Sequence, residues 1–158
     1  MKKQFPENFK PILKNWVNEV NVKGFAPIHF SSFRGNIKIL NRFIAIGADI
    51  HKTSTEGFNV LHLAAMGDQP NSIVFFLERG IEYNSIDKNG RTALHLATEY
   101  GSEKAINFIL PSVKNINLQD KNGNTPLHNS VLFSIKTGNM KNLRTILILG
   151  GDRNIEVG

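Results

Sequence analysis

Residues 57–80 read "GFNVLHLAAMGDQPNSIVFFLERG": an apolar segment built around His62, a break at Gly67-Asp68-Gln69-Pro70, and a second apolar segment that stops at Gly80. Within each segment apolar side chains are spaced by three and then one, Leu61/Ala64/Ala65 and Ile73/Phe76/Leu77. That spacing lines one face of a helix and would scatter over both faces of a strand. The stretch therefore predicts two short helices joined by a turn.

The same pattern recurs along the chain. Gly24, Gly57, Gly90 and Gly123 stand 33 residues apart, and so do His29, His62, His95 and His128. The second-helix triplet repeats at that interval as Leu40/Phe43/Ile44, Ile73/Phe76/Leu77 and Ile106/Ile109/Leu110. Its fourth copy, Leu143/Ile146/Leu147, follows after 37 residues, so the last unit holds four extra residues. We expect them at Ser134-Ile135-Lys136-Thr137, as a mobile loop between the unit's two helices. Thr125-Pro126 is a helix start, a hydroxyl cap followed by a proline whose missing N–H is not needed there. Gly35 and Gly101 punctuate the turn inside a unit, and Gly47, Gly80 and Gly150 end its second helix. "DKNG", at 87–90 and again at 120–123, suits a hairpin tip between units.

Thr92-Ala93-Leu94-His95-Leu96-Ala97 and Thr125-Pro126-Leu127-His128 resemble the T-P-L-H-x-A signature of ankyrin repeats, and Gly47-Ala48-Asp49-Ile50 resembles that family's turn between repeats. The resemblance implies an all-α ankyrin-repeat solenoid, with repeats at about 21–53, 54–86, 87–119 and 120–158. Residues 1–20 would be a capping half-repeat in which Phe9/Ile12/Leu13 repeats the helical pattern and Trp16 belongs to the core. Departures are local: Ala26 and Asn59 stand for the signature Thr, Val60 and Ala93 for its Pro, and Val113 for the glycine that ends the third unit. An Ala in place of a Thr cap weakens a helix start by about 1 kcal/mol. No polar helix pair follows the turn at Gly151-Asp152-Arg153-Asn154, so the chain is expected to be a fragment of a longer protein.

Composition narrows the function classes. The chain has 158 residues, 41% of them hydrophobic and 20% charged, which fits a single globular domain. It has no uninterrupted apolar stretch of roughly 18 residues and no apolar core behind Lys2 and Lys3, hence no expected membrane span or secretory signal. It has no cysteine, so there is no disulfide, thiolate nucleophile or Cys-ligated zinc, and a cytoplasmic location is the default. The formal charge of +6 favours an acidic partner, but the lysines are dispersed and no nucleic-acid arm is present.

The four histidines are expected to be scaffold, since neighbouring repeats stack at roughly the 8–10 Å of packed helices, too far apart for two imidazoles to share a metal ion. No nucleophile–base–acid set, phosphate loop or EF-hand is present, so we expect neither catalysis nor a cofactor. What the ankyrin resemblance leaves free is the concave surface of hairpin tips and inner helices. Its register places Phe25, Phe33, Arg34, Phe58, Met66, Lys88, Arg91, Glu99 and Tyr100 there, an aromatic stripe flanked by cations that would bind a protein or an extended, acidic peptide. The alternative for Phe25 and Phe58 is packing between hairpins. A narrower resemblance is to the cytosolic ankyrin segment of protist DHHC-type protein palmitoyltransferases, carried by "APIHFSSFRGNIKIL", "LILGGDRNI" and above all "GDQP" at 67–70. It implies a substrate-recruiting segment that does not itself touch the membrane. A free-standing intracellular ankyrin adaptor or inhibitor is the other class.

Overall fold

The computed structural model describes residues 7–149, which are entirely helix, turn and loop. Residues 1–6, Gly150 and the turn at 151–154 lie outside the described residues. After a short 3₁₀ turn come α1 (Lys10–Asn18), α2 (Pro27–Arg34), α3 (Ile37–Ala45), α4 (Val60–Met66), α5 (Pro70–Leu77), α6 (Ala93–Tyr100), α7 (Glu103–Ile109), α8 (Pro126–Thr137) and α9 (Lys141–Leu149). Helices α2/α3, α4/α5, α6/α7 and α8/α9 form antiparallel pairs, and the even-numbered helices pack on one another in sequence order. The result is a stack of four pairs around one core, which holds Ile28, Leu40, Leu61, Ile73, Phe76, Leu94, Ile106 and Ile146.

Sequence determines how each inner helix starts. In α4, α6 and α8 the residue before the helix (Asn59, Thr92, Thr125) turns its side-chain oxygen to the amide of the histidine three positions on. The histidine returns the contact: Nδ1 of His29, His62, His95 and His128 accepts the backbone N–H of Ala26, Asn59, Thr92 and Thr125 at 2.9–3.1 Å. With Nδ1 accepting, the proton sits on Nε2, and that N–H points to the hairpin that follows. His29 Nε2 lies 2.9 Å from the Lys52 carbonyl oxygen, His62 Nε2 3.0 Å from that of Arg91, and His95 Nε2 3.1 Å from that of Asn124. Each buried imidazole therefore ties its own helix start to the following hairpin. Burial, the largest influence on all three, pushes their pKa below the ordinary 6.5.

The hairpin tips form a second seam. Asn21, Ser54, Asp87 and Asp120 share one register position, and each accepts the backbone N–H four residues on at 2.9–3.1 Å. Gly24, Gly57, Gly90 and Gly123 turn the tips with φ between 73° and 83°, a conformation costly for other residues. Between tips, the amides of Thr55, Lys88 and Lys121 donate to the carbonyls of Lys23, Glu56 and Asn89 at 2.9–3.0 Å.

Two expectations fail. The surplus residues 134–137 are not a loop: they continue α8, which has 12 residues where α6 has 8, and Ser134 is buried. Gly138, at φ 74°, ends α8 as Gly101 ends α6, so the insertion precedes the turn and falls in the helix. Trp16 is not core either. It is 60% exposed, and of the α1 residues only Val17 is buried, because among the described residues no further element covers the side of α1 turned away from α2.

"GDQP" acquires a structural account. Asp68 adopts φ 55° where the first and third units have Gly35 and Gly101. Its carboxylate crosses to the third unit and accepts the Ala105 N–H at 2.8 Å, near the start of α7, where Ser102 makes no side-chain cap. A carboxylate at a helix N-terminus satisfies an orphan donor and complements the helix dipole. Gly67 has an ordinary φ of −83°, but a Cβ there would overlap the Phe33 carbonyl oxygen.

Candidate partner-binding groove

The ends of α6 and α8 and the last two hairpin tips enclose an open groove of about 640 Å³. It is lined by Asn89 and Arg91, by Glu99 and Tyr100 at the end of α6, by Asp120, Asn122 and Asn124 of the last tip, and by Asn129, Leu132, Phe133, Lys136 and Thr137 of α8. Tyr100 is 53% exposed and Leu132 59% exposed. Two of the α8 residues that line it, Lys136 and Thr137, lie within the four-residue surplus.

Of the residues expected to bind a partner, Arg91, Glu99 and Tyr100 come together here. The rest lie elsewhere. Phe33, Arg34 and Lys88 are exposed, the first two at the end of α2 and the last on a tip, while Met66 is half-buried at the end of α4. Phe25 and Phe58 are half-buried and stacked on each other, ring centroids 6.4 Å apart and planes within 3°. Each also meets the imidazole of its own unit edge-on, His29 at 5.6 Å and His62 at 6.1 Å. These rings fill the space between tips, which is the packing alternative.

Arg91 continues this column, its guanidinium 5.4 Å from the Phe58 ring. Its Nε donates to Asp87 Oδ2 at 2.8 Å and a terminal nitrogen to Glu99 Oε2 at 3.1 Å. The Asp87 side chain is fully buried and that of Arg91 only 18% exposed. Arg91 is thus held between two carboxylates, and a partner's acidic group would have to displace one of them.

Asp120, Asn129, Leu132, Phe133, Lys136 and Thr137 were missed. The signal was present: Asn129, Leu132, Phe133, Lys136 and Thr137 follow helical spacing, and no Gly or Pro interrupts the chain from Leu127 to Gly138. Among the described residues no three His, Asp or Glu side chains converge to hold a metal ion, and no helix is long and apolar enough to cross a membrane.

A stack of capped helix pairs stitched through equivalent histidines and hairpins defines a helical repeat scaffold. The family model for ankyrin repeats in three copies matches residues 28–120 and, overlapping them, 61–156. The chain belongs to the ankyrin repeat family. Ankyrin repeats mediate protein–protein interaction, and such domains are typically non-catalytic. No curated protein matches the chain. The palmitoyltransferase resemblance receives no support from the family match, which concerns the repeats alone.

Proposed function

We propose that this domain binds a protein partner through an extended segment laid into the groove between α6, α8 and the last two tips. The observation that carries the reading is the exposure of Tyr100 and Leu132, on the neighbouring helices α6 and α8, in one groove whose other lining is largely polar. Aromatic anchors flanked by hydrogen-bonding groups are the usual make-up of an interface centre. Asparagine amides both donate and accept, so Asn89 and Asn122 suit the main chain of an extended peptide. The acidic partner favoured by net charge would be met by Lys88, Lys121 and Lys136 instead of Arg91.

Random twelve-residue peptides displayed on phage and selected on the folded protein supply a ligand for the test. Tyr100→Ala and Leu132→Ser should leave the melting temperature nearly unchanged and weaken the selected peptide at least tenfold. Unchanged affinity in both variants would refute the groove.

Recruitment of substrates to a membrane acyltransferase is the finer form of this reading, and it rests on the resemblance at "GDQP". Reading the parent gene beyond Gly158 tests it. Apolar spans and a Cys-rich DHHC segment would support it, and a stop codon would favour the free-standing adaptor or inhibitor.

A further inference from the structure

We infer that the groove selects a peptide carrying a basic side chain, lysine or arginine, although the protein as a whole is cationic. The inference rests on the groove being the binding site. Four charged side chains line it: Arg91, Lys136, Glu99 and Asp120. Arg91 is already committed, through Nε to the buried Asp87 carboxylate and through a terminal nitrogen to Glu99. The Asp87–Arg91–Glu99 set therefore carries a net negative charge, and its exposed member is Glu99, whose side chain is 45% accessible.

Asp120 adds a second negative charge to the lining. It occupies the register position of Asp87, but the residue four positions on is Asn124 instead of an arginine, and no described cation lies within ion-pair distance of its carboxylate. One oxygen, Oδ1, is used by the amides of Asn122 and Asn124 at 2.8 and 2.9 Å. Oδ2 has no such assignment. A cationic side chain entering between Glu99 and Asp120 would meet two carboxylates and the exposed Tyr100 ring, whose face also attracts a cation. An acidic side chain would meet both carboxylates unfavourably and, of the residues lining the groove, find only Lys136 to answer it, since Lys88 and Lys121 stand on the tips outside the lining.

The structure supplies a clean variant. Asn21 holds the Asp120 position in the first unit, and its Oδ1 accepts the Lys23 and Phe25 amides at 3.0 Å, so Asp120→Asn keeps the tip and removes only the charge. Twelve-residue random peptides are selected by phage display on the wild-type protein and counter-selected on Tyr100→Ala. Binding of the enriched peptides is then measured by fluorescence anisotropy. We expect an excess of Lys and Arg over Asp and Glu in the enriched set. The best peptide should bind at least tenfold more weakly to Asp120→Asn, several-fold more weakly to Glu99→Gln, and no more weakly to Lys136→Ala. Acidic peptides that lose affinity on Lys136→Ala and not on Asp120→Asn would overturn the charge preference and leave the groove standing. Absence of any enrichment over Tyr100→Ala would overturn both the preference and the groove.

Discussion

At the scale of single residues, the histidines and Gly67 carry the clearest consequences. His95 is fully buried, accepts the Thr92 N–H through Nδ1 and donates through Nε2 to Asn124 in the next unit. His95→Ala removes both bonds and leaves backbone groups in a buried site without partners, which should lower stability by about 2 kcal/mol or more. Thermal unfolding followed by circular dichroism measures it, and an unchanged midpoint would contradict the stitching role. The same geometry fixes the pH response. A proton can be added only at Nδ1, which already accepts an N–H, and the folded pKa values of His29, His62 and His95 lie below 6.5. The unfolded chain therefore takes up these protons first as pH falls. Their contribution to stability is complete above about pH 6.5 and declines below it, and the thermal unfolding midpoint should fall as the pH is lowered from about 6.5 into the acid range. A midpoint that rises over that interval would contradict the sign. Gly67 is a matter of space, since its φ suits any residue while its Cβ would strike the Phe33 backbone. Gly67→Ala should cost about 1–3 kcal/mol by forcing α2 and α4 apart, readable as a lower urea midpoint.

At the scale of elements, α8 separates what the sequence can specify from what only the folded stack decides. The repeated helix pairs were legible because Gly24/Gly57/Gly90/Gly123 and His29/His62/His95/His128 are backbone and capping requirements that each copy must meet by itself. The insertion was legible as a count and misplaced as a structure. Its position depended on Gly138, whose distance from Gly101 shows that the four extra residues precede the turn. Trp16 was misread for another reason: helical spacing says which side chains share a face, not whether another element covers that face. Phe25 and Phe58 looked exposed because each stands on a tip, and their mutual stacking appears only when two tips lie side by side. Half of the groove was hidden for the same reasons. Arg91, Glu99 and Tyr100 could be placed by register, whereas Lys136 and Thr137 line the groove only when the insertion is helical. If it is, Ser134 Oγ bonded to the Ser130 carbonyl and the Gly138 amide bonded to the Ser134 carbonyl, both at 2.8 Å, belong to an ordered last turn. Hydrogen exchange should then be slowed at least about tenfold at the amides of Ile135–Gly138 relative to an unstructured peptide. Exchange at the unprotected rate would restore the loop.

At the scale of the whole molecule, contacts run between neighbouring units, so stability accumulates along the stack while the concave side chains remain available for recognition. The histidine and hairpin seams hold neighbouring units in register, and the groove lies where the third and fourth units meet. Chemical-shift mapping on isotope-labelled protein, titrated with a display-selected peptide, reads out which face a partner segment occupies. A segment seated in the proposed groove shifts Asn89, Arg91, Glu99, Tyr100, Asn122 and Lys136 and leaves α3, α5 and α7 undisturbed. Shifts centred on those outer helices, or on the exposed Trp16 face of α1, would contradict the groove.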